Sequence, residues 1–330
     1  MPNINDVVRL SGVSKSTVSR VINNYPHIAP DKRERVLKVM KEIGYIPNVA
    51  AQRLRGLNGT IIGVIVPRIV NPFFSHLVEA IEKEGYIRGY QTIIFQSHED
   101  SEREINFLNL MKHKQVDGVI MTAYENDWNI INNYLKYGPI VMCNEYLSEP
   151  VVPTVRVDQL MASYEGVKHL VSQGHRKIAY CTGGLFSESG KDKDRNQGYQ
   201  KVLTEAGIEI NPNWIFIKRH TVEDGQKVLH QINDMHDRPT AIFTGSDEVA
   251  AGIIMEARNL GIRIPEELAI IGFDDQPLAQ MLSPELTTIK QPVSEMGYTA
   301  MDIIIKRLEG KAVENKMYTL PFQLVVRKTT

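Results

Sequence analysis

Asn3-Ile-Asn-Asp-Val-Val-Arg-Leu-Ser-Gly-Val-Ser-Lys-Ser-Thr-Val-Ser-Arg-Val-Ile-Asn23 is the stretch from which the rest of the chain is read. Its spacing predicts two short helices joined by a tight turn. Asn3 is a good N-cap, and Asp6 three residues on favours the helix start. Ile4, Val7, Val8 and the Leu10–Ser11 pair supply the buried stripe of the first helix. Gly12 and Val13 make the turn. Ser14 caps a second helix from about Lys15 to Asn23, in which Val18, Val21 and Ile22 face inward at helical spacing. Lys15, Ser16, Thr17, Ser19 and Arg20 are left for the outer face. Such a pair lets one helix brace while the next lies in the major groove of DNA. Lys15 and Ser16 stand on the first turn, where a recognition helix reaches base edges. Arg20, one turn on, can take guanine bidentately or grip a phosphate instead.

Reading outward, His27-Ile-Ala-Pro30-Asp31 opens a third helix, with Val36, Leu37, Met40 and Ile43 spaced to close a three-helix core and Gly44 as its stop. Val49 to Gly56 is helix-permissive but too short to stand alone, so it is expected to order on DNA. There Leu54 reads as a wedge into a minor-groove step beside a backbone-gripping Arg55, or as part of a plain linker with the leucine packed on the body. Residues 1–58 hold ten Lys and Arg against four Asp and Glu, an excess of six positive charges. The whole chain is at −1, so −7 falls to the rest. A basic head on an acidic body suits a head that meets phosphate.

Beyond residue 60, short apolar runs alternate with amphipathic stretches. The expected strands are Ile61–Val66, Thr92–Phe95, Gly118–Met121, Ile140–Met142, Lys177–Cys181, Trp214–Ile217, Ala241–Thr244 and Ala269–Gly272, with helical patterns between them. That alternation means parallel sheets covered by helices on both faces, in two similar lobes. Ligands of such sheets sit beyond the carboxyl ends of the strands, here in a cleft between the lobes. The residues following the strands mark it: Asn71, Phe73 and Phe74, then Arg195, His220, Ser246, Asp247 and Asp274. Rings that cover the apolar face of a sugar, with carboxylate and guanidinium for paired hydroxyls, are the makeup of a polyol site. Ser246-Asp247 has an equally good reading as the cap of the next helix.

Composition narrows the function further. Cys143 and Cys181 lack CxxC spacing, so neither a disulfide framework nor a metal site is expected. No signal-peptide layout or membrane-length apolar run occurs, which points to the cytoplasm and away from a membrane. No dinucleotide or P-loop glycine motif follows a strand, and His169, His175 and His220 lack a nucleophile at any recognisable spacing. No cofactor and no enzymatic activity are therefore expected. A secreted-type solute-binding protein is the alternative, opposed by the basic head.

The motif Asp6-Val-Val…Gly-Val-Ser14-x-x-Thr17-Val-Ser19-Arg20-Val-Ile-Asn23, followed by Arg35-Val…Gly44-Tyr-x-Pro47-Asn48…Ala51-x-x-Leu54, resembles the lac repressor family of bacterial transcription regulators. Val8 departs from it, standing where the family usually has alanine. The likeness continues through Asn71-Pro-Phe-Phe, Val116-Asp-Gly-Val-Ile, Gly174-His-Arg, Pro239-Thr-Ala-Ile-Phe, Ile271-Gly-Phe-Asp274 and Leu286-Thr-Thr-Ile-x-Gln-Pro292. It implies a helix-turn-helix domain at 1–47, a hinge helix and linker at 48–59, and a two-lobed periplasmic-binding-protein-like α/β core. One lobe comprises 60–158 plus 291–318, the other 159–290 plus 319–330. The resemblance assigns Lys15, Ser16 and Arg20 to base reading and Leu54 to the hinge wedge. Thr17, Ser19, Asn23, Asn48 and Arg55 complete the candidate DNA-contact set. By resemblance Phe73, Arg195, Ser246 and Asp274 occupy effector positions; Ser246 stands where several relatives have asparagine and His220 where some have an aromatic, so no particular ligand follows from the resemblance, and the expected sugar or sugar phosphate rests on the polyol makeup of the cleft.

After Arg327 three residues remain, without leucine heptads, so the resemblance implies a homodimer on a palindromic operator. Tyr137-Gly-Pro-Ile and the 146–150 segment add a faint likeness to the catabolite control regulators of Gram-positive bacteria. Members that dock a phosphocarrier protein have a basic residue after the late Ala-Met; here Ala300-Met301 precedes Asp302, which counts against that partner and that form of control.

Overall fold

The computed structural model describes residues 2–22, 25–45, 61–145, 147, 150–187 and 192–330. The chain divides into two units, Met1–Gly59 and Thr60–Thr330. Asn23, Asn48, Leu54, Arg55 and the 48–59 segment lie outside the described residues.

Among the described residues, the first unit holds three helices: α1 (Ile4–Ser11), α2 (Lys15–Ile22) and α3 (Pro30–Glu42). Asn3 caps α1 through a capping box in which Asp6 reaches back to the Asn3 N–H. Gly12 takes φ 67°, the left-handed turn that only glycine adopts without strain, and its N–H closes on Val8 O. Val8 is accommodated at the rim of a core of Val7, Val18, Val21, Val36 and Val39. Two expected core positions are overturned. Leu10 and Leu37 are 52% and 49% exposed, while Ser11 and Val39 are buried in their place. From Val36 the inward stripe steps to 39, 40 and 43, so 37 falls on the outer face.

The second unit contains two six-stranded sheets. The first orders its strands β2 (Gln91–Gln96), β1 (Ile61–Val66), β3 (Gly118–Met121), β4 (Ile140–Cys143), β5 (Thr154–Val157) and β11 (Met317–Leu320), all parallel. The second runs β7 (Ile215–Phe216), β6 (Ile178–Cys181), β8 (Ala241–Phe243), β9 (Ala269–Asp274), β10 (Thr287–Lys290) and β12 (Gln323–Val325). Among the described residues, only the β10–β12 pair is antiparallel. The two sheets share one strand order and differ in the direction of the sixth strand, with the order reversing beside each first strand; that is where doubly wound sheets open a crevice.

Strands covered on both faces read as unbroken apolar runs, as Ile-Ile-Gly-Val-Ile-Val does in β1. Four strands, β5, β10, β11 and β12, were not expected as strands. They are short and carry Thr, Arg, Lys, Tyr or Gln among their apolar residues. The Trp214–Ile217 strand is reduced to Ile215–Phe216, because Pro212 starts a 3-10 turn through Trp214. The chain passes between the sheets three times, after β5, after β10 and after β11. No helix among the described residues is long and apolar enough to cross a membrane.

Candidate functional site

The outer face of α2 carries the side chains singled out for DNA. Lys15, Ser16 and Arg20 are exposed; Thr17 and Ser19 are half-buried. Ser14 Oγ accepts from the Thr17 N–H at 3.3 Å and lies 2.9 Å from the hydroxyls of both Ser16 and Thr17. This cap holds the first turn, where Lys15 and Ser16 project. The Thr17 hydroxyl is thus already engaged within the cap, whereas Arg20 has no ion pair among the described residues. Valines 18 and 21, on the opposite face, anchor the helix to α1 and α3.

In the second unit, Asn71, Phe73, Phe74, Arg195, His220, Ser246 and Asp274 line one cleft of about 590 Å³. They come from both sheets and share a single edge, the carboxyl ends of the strands. Asn71 caps the helix Pro72–Ile87 through the Phe73 N–H at 2.9 Å, and its Nδ2 donates across the cleft to Glu248 Oε2 at 3.1 Å. The Phe73 and Phe74 rings meet edge to face at 5.2 Å. Ser246 caps the helix Asp247–Leu260, Oγ accepting from the Val249 N–H, while still bordering the cleft.

Arg195 is held on three sides. Its Nε donates to Gln159 Oε1 at 2.7 Å, Nη1 donates to Gly245 O at 2.9 Å, and the guanidinium lies 3.8 Å above the Phe273 ring. Asp274 accepts from Gln291 Nε2 at 2.8 Å and Gln276 Nε2 at 3.3 Å. Burial pushes its carboxyl up to about 6, against the lowering pull of Arg195 and the two amides. His220 packs over Gly183, where a Cβ would lie 2.6 Å from its ring. Burial, then the charge of Arg68, holds that imidazole below its usual range, so it is neutral near pH 7.

Asp247 is the one expected cleft residue that does not line it. It is fully buried behind the strand ends, its Oδ1 accepting from Thr288 Oγ1 at 2.5 Å and Oδ2 from the Gln276 N–H at 2.7 Å. Gly272 makes room for it, since a Cβ there would fall 2.2 Å from Oδ1. As the first residue of its helix, Asp247 turns back into the sheet edge, whereas Ser246 looks outward.

The cleft also recruits Arg68, Glu99, Asn144, Asp192, Lys218 and Gln291. Asp192 Oδ2 accepts from the Thr182 hydroxyl and from the Gly184 N–H at 2.6 Å. Glu99, Asn144, Lys218 and Asp274 all have positive φ, at 60°, 86°, 57° and 109°. Side chains rarely accept that backbone, and such strain clusters where a fold is shaped for function. Nothing in a run such as Phe216-Ile-Lys218 announces a positive φ; an asparagine after a strand, as at 144, is the one usable signal.

Known proteins resemble this chain in both of its units. A family described as bacterial regulatory proteins, lacI family, matches residues 3–48, and a periplasmic binding protein-like domain matches residues 167–330. The NTD biosynthesis operon regulator NtdR of Bacillus subtilis (strain 168) is 42% identical over 331 residues, spanning all of both chains. Among solved structures, the lac repressor dimer bound to operator and the anti-inducer ONPF superposes with a TM-score of 0.85. It is 28% identical and covers 99% of this chain and 98% of its own. A LacI family transcriptional regulator from Lactobacillus casei with bound sucrose gives a TM-score of 0.77 at 32% identity, covering 82% of this chain and 99% of that one.

Proposed function

The chain belongs to the lacI family of bacterial regulatory proteins, and from that premise we propose that it is a cytoplasmic, homodimeric repressor released from or driven to its operator by a sugar or sugar phosphate in the cleft. Lys15, Ser16 and Arg20 read base edges of a two-fold-symmetric site, with Thr17, Ser19, Asn23, Asn48, Leu54 and Arg55 completing the grip. In the second unit, Phe73 and Phe74 cover an apolar sugar face while Arg195, Asp274, Ser246 and His220 take hydroxyls. Asn71 acts chiefly as a tie across the cleft through Glu248, and Asp247 as a support for the strand ends. The lobes divide as 60–158 with 291–320 and 159–290 with 321–330, two residues past the expected 318, because β11 runs to Leu320 beside β5. The site binds and does not catalyse: the Ser246 hydroxyl serves as a helix cap.

One observation carries the reading of the cleft. Its walls concentrate strained, polar, non-glycine residues from four different strand ends. A phosphocarrier partner is not part of this proposal. Asp302, at the position where docking members are basic, is ion-paired with Arg88 at 3.3 Å and Lys306 at 2.6 Å.

The test has two arms. Operator preference is measured by competition between a selected palindrome and random duplex. A bidentate base contact is worth about 1–3 kcal/mol, so Arg20→Ala should reduce that preference roughly tenfold or more. Thermal-shift screening of sugars and sugar phosphates should find a stabilising compound that Arg195→Ala no longer binds and Arg20→Ala still does. Undiminished operator preference in Arg20→Ala would remove the assignment of base reading to α2.

A further inference from the structure

Two buried glutamines join the crossover segments to the two opposite charges facing the cleft. Arg195 Nε donates to Gln159 Oε1 at 2.7 Å, Gln159 Nε2 donates to Gln291 Oε1 at 3.2 Å, and Gln291 Nε2 donates to Asp274 Oδ1 at 2.8 Å. Gln159 opens the helix Gln159–Ser172, just after the first passage between the sheets. Gln291 follows β10 directly, where the second passage begins. Both are more than nine-tenths buried.

The direction of this chain of hydrogen bonds is set by its ends. A guanidinium only donates and an ionised carboxylate only accepts. Each amide is therefore held in one orientation; turning either would put donor against donor or acceptor against acceptor. Hydrogen bonds aligned in this way polarise one another in a low-dielectric interior. Neither Arg195 nor Asp274 can move toward a ligand without disturbing the strut between the two crossover segments.

We propose that Gln159 and Gln291 are positioning residues through which occupancy of the cleft is read at the crossovers: the polarised relay from Arg195 to Asp274 holds one angle between the lobes, and a ligand that draws on either end releases or tightens it. This rests on the cleft being the effector site. Gln159 does not border the cleft, so altering it changes the relay without removing a ligand contact.

The test is the interlobe distance in the full chain, with no DNA or ligand added. Nitroxide labels are placed on Lys112→Cys and Glu209→Cys, both exposed and one in each lobe, and the labelled chain is diluted with unlabelled protein. Native Cys143 and Cys181 are fully buried, and burial pushes both thiols up, Cys143 to about 12, so they do not compete for label. The parent should show one narrow distance population. Gln159→Met and the isosteric Gln159→Glu, which keeps the acceptor for Arg195 but loses the donor toward Gln291, should broaden or shift it by several ångströms.

The double variant Gln159→Glu with Asp274→Asn should restore the narrow population. With the Gln291 amide turned over, the new carboxylate at position 159 accepts from its Nε2. The new amide at position 274 donates to its Oε1 and keeps its own oxygen for Gln276. Every contact again pairs a donor with an acceptor. Unchanged distances in both single variants, or no rescue in the double, would overturn the relay. Because neither operator nor effector enters the measurement, that result would leave the regulatory reading standing. A relay that controls the distance in a protein with no effector response would do the opposite.

Discussion

Asp274 is retained in the fold at the expense of stability. Its carboxyl is raised from 3.8 to about 6, first by burial. The folded chain therefore binds the proton more tightly than the unfolded chain, so this group's favourable contribution is present at low pH and is lost as pH rises through about 6. The full effect is about 3 kcal/mol at most, from about 1.4 kcal/mol per pH unit. Asp274→Asn should therefore gain more stability relative to the parent at pH 8 than at pH 5, by roughly 1–2 kcal/mol, read from paired thermal or urea melts, while losing its effector response. An identical difference at the two pH values would mean that the carboxyl is not strained by burial. Arg195, Asp274 and the phenylalanines were legible because they follow recognisable strands. Glu99 was legible in the same way, whereas Asn144 and Lys218 were not singled out: an asparagine after a strand is a usable signal, but the positive φ at Lys218 is imposed only by the assembled strand ends. Asp247 was misplaced for a related reason: a helix cap and the residue after it point in opposite directions, which adjacency in sequence does not show.

Among elements, the contact between the helices Val222–Asp234 and Asp247–Leu260 is the least forgiving. Gly225 and Gly252 face each other there; a Cβ on Gly252 would sit 1.9 Å from Val222 O, and one on Gly225 2.1 Å from Val249 O. The clash is with backbone, so it cannot be relieved by a rotamer change. Gly252→Ala should lose about 3 kcal/mol or more in urea unfolding. Gly261→Ala, in open space at φ 71°, should lose only about 1–2 kcal/mol. Equal losses at the two positions would refute the close approach. The alternation of strands and helices was readable because doubly covered parallel strands are continuous apolar runs. At the crossovers, whose places near 157, 290 and 318 were readable, the strands themselves were not, for the opposite reason. Thr154-Val-Arg-Val and Thr287-Thr-Ile-Lys mix polar with apolar residues, since Arg156 must reach Asp194 across the lobes at 3.3 Å and Thr288 must hold Asp247.

At the scale of the molecule, the charge imbalance and the two-unit division predict separable activities. A protein starting at Thr60 should melt as one cooperative unit and keep its sugar-induced thermal shift, but show no operator binding in gel-shift or anisotropy assays. Residual operator binding by that fragment would place DNA contacts in the second unit. The full chain should lose affinity steeply with added salt, with a log–log slope near −0.9 per phosphate neutralised.

The threefold exchange of chain between the sheets also dictates an order of manufacture. β11 completes the first sheet and β12 the second, and both come from residues 317–325. Thr329, fully enclosed, is stitched to Ile270 through both its backbone and its hydroxyl. A nascent polypeptide on the ribosome must therefore carry two unfinished sheets until residues 317–325 have emerged. A premature stop after Lys316 would strip an outer strand from both lobes at once.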